Sequence, residues 1–248
     1  MKMVPVVLGF LLGMIAIPAL AETHFESSLA RTSLIELYTS EGCSSCPPAE
    51  ARLSRLKDDR GLWKQFVPVA YHVDYWNRLG WRDRFSSPEF TARQSRYAAL
   101  WQSESVYTPA FVLDGRELRG GWSGSLSSPN EQAAGLLNAT SQDGKTWSIE
   151  FHPAQGGEGD WDVHAALLGA GISSKIGAGE NDGRNLQHDF VVLHQQDAPL
   201  KKEGDRAIGS LTLASSAGSA PQKALAVWVT RRGQLPPVQA TGGWLPTP

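Results

Sequence analysis

The sequence predicts an α/β domain built on a mixed sheet, followed by a smaller all-β, sandwich-like domain. Three observations carry this. Strand-type and helix-type segments alternate through residues 33–138. The only two cysteines, Cys43 and Cys46, fall between the first strand and the first helix. After the polar stretch 139–145 no strong helical period returns.

Residues 33–38 (Ser-Leu-Ile-Glu-Leu-Tyr) alternate apolar and polar, as a strand does. Pro47 and Pro48 open a helix carrying Leu53 and Leu56; proline is tolerated in a first turn, where the N–H has no intrahelical partner. Residues 66–73 read as a second strand. Ser86-Ser87-Pro88-Glu89 is a capping box for a helix reaching about Trp101. Residues 106–113 and 116–119 form a hairpin about Asp114-Gly115. A second capping box at residues 128–131 opens a helix ending near Asn138. The order β-α-β-α-β-β-α is the minimal thioredoxin arrangement. Beyond it, residues 147–152, 160–168, 188–194, 207–213 and 224–230 read as short strands of a small sandwich. The expected units are therefore a leader at 1–21, an α/β domain at 22–140 and an all-β domain at 146–248.

The leader is read from Lys2, a mostly apolar run over residues 4–19, and the small-x-small site Ala19-Leu20-Ala21. Gly9, Gly13 and Pro18 interrupt that run, so it makes a poor membrane span. Export to the periplasm follows as an expectation, with no membrane partner after cleavage. The formal charge of -2, from 23 basic and 25 acidic residues, shows no basic block and argues against nucleic acid.

Two sulfurs separated by two residues close a very small ring, which removes little entropy from the unfolded chain. Redox chemistry explains the pair better than stability does. Cys43, ahead of the helix, is expected to be the attacking thiolate, aided by the helix terminus and by Ser44 and Ser45. Cys46, further into the first turn, suits the resolving role. Tyr107-Thr108-Pro109 precedes an apolar strand, and a cis Thr108–Pro109 bond would turn the proline ring toward the sulfurs and leave Thr108 and Tyr107 to bind a substrate strand. Trp76, within the aromatic run of residues 71–81, is assigned to packing or to that groove. Glu36 is an acid in a buried strand and a proton-transfer candidate. Glu41 opposes thiolate formation at Cys43 if it lies close. His72 ends the second strand near the expected active edge. The glycine-rich segment 179–184 matches neither a calcium nor a phosphate loop and reads as a turn.

Residues 37–50 (Leu-Tyr-Thr-Ser-Glu-Gly-Cys-Ser-Ser-Cys-Pro-Pro-Ala-Glu), 72–81 (His-Val-Asp-Tyr-Trp-Asn-Arg-Leu-Gly-Trp), Tyr107-Thr108-Pro109 and 179–188 resemble the bacterial secreted thioredoxin-like family known as domain of unknown function 1223. The resemblance implies a thioredoxin-like domain carrying Cys43, Cys46 and Pro109, with an added β domain, and it names no substrate. Ser44-Ser45 stands where ordinary thioredoxins have Gly-Pro.

The expected function is an exported thiol–disulfide oxidoreductase acting on protein or peptide thiols and disulfides, with a redox partner protein and no dissociable cofactor. A copper-binding or delivery protein using Cys43, Cys46 and His72 is the alternative, and a binding module with an inert disulfide is a third reading. No second cysteine pair and no histidine spacing near the pair supplies the four ligands of a structural zinc site.

Overall fold

The computed structural model describes residues 22–120, 132–154, 159–213 and 219–246. Strand β1 (Thr23–Glu26) precedes β2 (Ser33–Thr39), which is buried at six of its seven positions. Helix α1 (Cys46–Ser54) holds Pro47 and Pro48 in its first turn and tightens into a 3-10 turn at Arg55–Asp58. Strand β3 (Phe66–His72) is buried throughout. Helix α2 (Pro88–Leu100) is capped by Ser87, whose hydroxyl accepts from Glu89 N at 3.2 Å. Strands β4 (Ala110–Leu113) and β5 (Arg116–Leu118) form a hairpin in which Asp114 and Gly115 both take positive φ, 49° and 81°.

The remaining elements are all strands: β6 (Gly135–Ser141), β7 (Thr146–Pro153), β8 (Trp161–Ala170), β9 (Ile172–Lys175), β10 (Asn185–His188), β11 (Val191–Pro199), β12 (Lys201–Glu203), β13 (Arg206–Thr212), β14 (Gln222–Arg231) and β15 (Pro237–Trp244). One sheet of eight runs in the order β15-β14-β8-β11-β3-β2-β4-β5. A second of five runs β1-β6-β7-β13-β12, and β9 pairs with β10 alone. Among the described strand pairs, only β2–β3 and β3–β11 are parallel.

This corrects the expected α/β class. Strand accounts for 48% and helix for 14%, with two α-helices among the described residues. The eight-stranded sheet also takes strands from both sides of the boundary read at residues 140–146. The reason lies in β8 and β14, which are buried on both faces. Val163, Ala165 and Leu167, with Leu225, Val227 and Val229, pack against Trp147, Ile149 and Phe151 of the five-stranded sheet. Ala166, Leu168, Ala224, Ala226 and Trp228 turn the other way, into the core shared with β2 and β3. Strands covered on both sides read as continuous apolar runs, and nothing local says which other strands complete their sheet.

The helix expected to end near Asn138 is a second correction. Its capping box lies outside the described residues, and Gly135–Ser141 is a strand with strictly alternating burial. It pairs with β1 on one side and β7 on the other. Gly135 has φ +106°, and a Cβ there would meet His152 O at 2.2 Å, so the strand begins at a close backbone approach that a helix could not make. Strands β1, β9, β10, β12 and β15 were not legible as such. For β15 the anchor is Gln239, fully buried, which accepts from Thr32 N at 2.8 Å and donates to the carbonyls of Ser28, Ala30 and Gly135.

Candidate thiol site

The turn after β2 brings Cys43 N to Ser40 O at 3.2 Å, and Cys46 N closes the next turn on Cys43 O at 3.2 Å, where α1 begins. Both cysteines are free thiols. Pro109 leads into β4, which pairs with β2 through Tyr38 and Ala110, so this edge lies beside the cysteine turn. The Thr108–Pro109 bond is cis. Cys43 Sγ lies 3.8 Å from Thr108 O and 3.2 Å from Ser45 Oγ, and Ser45 Oγ lies 3.5 Å from the same carbonyl. Trp76 Nε1 donates to Thr108 Oγ1 at 2.8 Å, and Gln94 Nε2 donates to Tyr107 O at 2.7 Å. Trp76 therefore supports the Thr108 segment from behind, while Tyr107 remains 44% exposed.

The two sulfurs are biased in opposite directions. Cys43 is lowered to about 6, by the hydrogen bond from Cys46 first, then, against the cost of burial, by those from Ser45 and Thr108. Cys46 is raised, by burial first and then by Cys43. Ser45 occupies the N-cap of α1 but makes no side-chain cap bond; its hydroxyl goes to Cys43 instead. Pro47 and Pro48 present no N–H in the first turn, so local hydrogen bonds take over much of the part expected of the helix terminus.

Segment 179–184, a plain turn by its sequence, lies against the cysteines. Asn181, fully buried, donates from Nδ2 to both Glu41 O and Cys43 O at 2.9 Å. Glu180 Oε2 accepts from Ser44 N at 2.9 Å and from Ser44 Oγ at 2.8 Å. Arg184 Nη1 holds Asn181 Oδ1 at 2.6 Å. The turn that carries Cys43 is thus clamped by a loop some 136 residues later.

Behind the pair lies a buried ionisable cluster. Glu50, on α1, accepts from Thr39 Oγ1 at 2.6 Å and meets His188 Nδ1 at 2.5 Å. His188 Nε2 stands 3.3 Å from Glu41 Oε1, at ion-pair distance but not aligned as a hydrogen bond. Trp81 Nε1 donates to Glu41 Oε2 at 2.7 Å. His72 Nδ1 is 2.7 Å from Asp83 Oδ2, which also accepts from Glu41 N at 2.9 Å. Burial works against charge on His188, yet the Glu41 and Glu50 carboxylates push it up to about 10. Burial likewise opposes a charged His72, and the Asp83 carboxylate outweighs it. For Glu50, burial is overcome by His188, which holds the carboxyl below its ordinary value.

Glu36 belongs elsewhere. Its carboxylate is fully buried and receives Arg93 Nε at 2.8 Å, Tyr97 OH at 2.6 Å and Tyr38 OH at 3.1 Å. The Arg93 guanidinium stands 5.4–5.6 Å from the ring centres of Tyr71, Tyr97 and Trp228. His72 is not gathered with the cysteines either: among the described residues, the ligand-type cluster joins it to Glu50 and His188. No sequence spacing reveals His188 or Asn181 as members of the site. Their one signal was their place in the 179–188 segment.

A family model described as "Protein of unknown function (DUF1223)" matches residues 34–230. The chain belongs to this family. The matched stretch spans both the cysteine turn and the 179–188 segment that clamps it. Protein AGR_C_4864 from Agrobacterium tumefaciens is structurally similar at 24% identity, with a TM-score of 0.61, covering 87% of this chain and 94% of that one. HBP35 of Porphyromonas gingivalis is similar at 14% identity and a TM-score of 0.57, covering 88% of this chain and 76% of that one. At these identities the likeness speaks for the fold alone. No curated protein matches the sequence significantly.

Proposed function

We propose that this family member is an exported thiol–disulfide oxidoreductase that runs thioredoxin-type exchange on protein or peptide thiols, with Cys43 as nucleophile and Cys46 as the resolving thiol. The observation that carries the reading is the opposed bias of two adjacent thiols: the outer one is lowered to about 6 and the inner one is raised. At neutral pH this pair holds one thiolate and one thiol, which is the starting state for disulfide exchange.

In the reductive direction, Cys43 Sγ⁻ attacks one sulfur of a partner disulfide and forms a mixed disulfide, and the partner's other sulfur leaves as thiolate. Cys46 then loses its proton and attacks Cys43 Sγ, forming the Cys43–Cys46 bond and releasing the second partner thiolate. Two electrons pass from the pair to the partner. A redox partner protein restores the dithiol, and no dissociable cofactor enters. Thr108, Pro109, Tyr107 and Trp76 form the substrate edge in this reading, with Ser44 and Ser45 beside the nucleophile.

Cys43 is 1% and Cys46 0% exposed, whereas Ser44 and Ser45 lie at the surface. Attack on a macromolecular disulfide therefore requires the serine turn to swing away from the Thr108 carbonyl, against the hold of Glu180 and Asn181. The experiment is Cys46→Ser incubated with a periplasmic extract. Mixed disulfides that disappear on reduction, and that are absent from Cys43→Ser, are the expected result. An adduct-free Cys46→Ser chain would remove the basis of the reading.

A further inference from the structure

Glu41, Glu50, His72, Asp83 and His188 are each 5% exposed or less and converge behind the cysteine turn. They come from the turn after β2, from α1, from the end of β3, from the loop before α2 and from the end of β10. Three carboxylates share this pocket with two imidazoles. Buried polar atoms nearly always find a hydrogen-bond partner, yet His72 Nε2 has none, while His188 Nε2 and Glu41 Oε1 face each other at 3.3 Å without an aligned bond. One ligand-type atom from each of Glu50, His72 and His188 lies within 4.8 Å of the other two.

The outer contacts single out which atoms are free. His72 Nδ1 is occupied by Asp83 Oδ2 at 2.7 Å, and Asp83 is fixed in turn by the backbone N–H groups of Glu41 and Phe85. This leaves His72 Nε2 as the ring nitrogen without a partner. Glu50 Oε1 is occupied by Thr39 Oγ1, leaving Oε2 toward His188. His188 Nε2 is placed beside Glu41 Oε1, and Trp81 anchors the other oxygen of Glu41. Each of the three inner residues thus has an outer partner that sets its orientation. That is how metal ligands are commonly held, with a carboxylate on the far nitrogen of a ligating imidazole.

We propose that Glu50, His72 and His188 form a binding site for a first-row divalent cation, Zn²⁺ before others, with Thr39, Asp83 and Glu41 as the positioning shell. Two imidazoles and a carboxylate suit zinc better than calcium or magnesium, which favour all-oxygen sets. The ion takes the place of the proton between His188 and Glu50. Zn–N distances of about 2.0–2.1 Å in a tetrahedron place ligand atoms roughly 3.3 Å apart, so His188 Nδ1 and Glu50 Oε2 move apart from their present 2.5 Å to admit the ion. An imidazole ligates through a neutral nitrogen, so protons compete with the ion for this site. Three protein ligands leave the fourth tetrahedral position to a water molecule, and the ion ties α1, which carries Cys46, to β3 and to β10 beside the clamping loop.

The test is metal analysis of the full chain as purified, followed by titration of chelator-stripped protein with Zn²⁺ against a competing indicator. One equivalent is expected for the native chain and for the Cys43→Ser/Cys46→Ser double variant. His72→Gln and His188→Gln should lose stoichiometric binding, and Asp83→Asn should weaken it by about 10–100-fold. No uptake by the native chain in excess Zn²⁺, or uptake abolished by the cysteine changes alone, overturns the site. If the histidine variants fail to fold, Co²⁺ spectra of the native chain decide. Bands of nitrogen and oxygen ligation without sulfur charge transfer support the proposal, and a sulfur band refutes it. The site stands whether or not Cys43 exchanges disulfides, because the double variant keeps all three ligands.

Discussion

Two buried ionic clusters among the described residues, one around Glu36 and one around Glu50, differ in how completely they are satisfied. Around Glu36 both carboxylate oxygens are taken, one by Tyr97 and the other by Arg93 and Tyr38, with the arginine enclosed by aromatic rings. Around Glu50, three carboxylates stand against two imidazoles, His72 Nε2 has no hydrogen-bond partner, and His188 Nε2 and Glu41 Oε1 meet at 3.3 Å without an aligned bond. The difference teaches that burial of charge by itself does not mark a functional site. A closed, balanced set holds a fold together, while a carboxylate-rich set with an unpartnered ring nitrogen has capacity left for an ion or a proton. Position agrees with this division: Glu50 is on the helix that starts at Cys46, and its histidine partner neighbours the loop that clamps Cys43.

The largest effect is expected from breaking the satisfied cluster. Arg93→Met leaves the Glu36 carboxylate buried beside aromatic rings with no counter-charge, and should cost about 3–5 kcal/mol in urea unfolding. Thiol titration of whatever protein remains folded should be unchanged. A loss below about 1 kcal/mol would make the Glu36 cluster dispensable and erase the contrast.

Next comes the clamp. Asn181→Ala removes two hydrogen bonds to the carbonyls of Glu41 and Cys43 and leaves those acceptors buried. At about 1 kcal/mol or somewhat more for each, the turn should open more easily, and Cys43 alkylation should speed up by about tenfold or more. An unchanged rate would show that the clamp does not gate the thiol.

The pH response of Cys43 follows. With its value lowered to about 6, the thiolate predominates at pH 7 and is mostly protonated at pH 5. Alkylation should therefore slow about tenfold as pH falls from 7 to 5, and level off above 7. Ser45→Ala removes one of the hydrogen bonds that favour the thiolate and should move the midpoint upward. A midpoint near an ordinary thiol value in the native chain would remove the asymmetry between the sulfurs.

The smallest effect is expected at Glu180. Its two bonds to Ser44 lie at the surface, so Glu180→Ala should raise the alkylation rate only a few-fold, in line with net hydrogen-bond contributions of about 0.5–1.5 kcal/mol. A rise as large as that of Asn181→Ala would transfer the gating role to the carboxylate.

Local signals were legible where the chemistry is local. The Ser87 cap with Glu89, the Asp114-Gly115 turn and the Cys43–Cys46 turn ahead of a proline-opened helix can each be read from a few neighbouring residues. Residues 135–141 were misread because a capping box just upstream suggested a helix, whereas Gly135 at positive φ and pairing on both sides dictate a strand. The class was misread because β8 and β14 look like strands of a separate sandwich until their second buried face is seen. Gln239 carries no sequence signal: apart from the neighbouring Ala240 N, its partners at Ser28, Ala30, Thr32 and Gly135 lie in segments distant in the chain.

By itself the sequence determined where the two sulfurs sit relative to strand, helix and proline, because each of those features depends on residues close together along the chain. Only the tertiary structure decided that one sheet joins both halves, that residues 180 and 181 hold the cysteine turn, and that His72 and His188 meet over Glu50. Those outcomes follow from long-range strand pairing and two-sided burial, which bring together side chains whose separation in sequence gives no hint of contact.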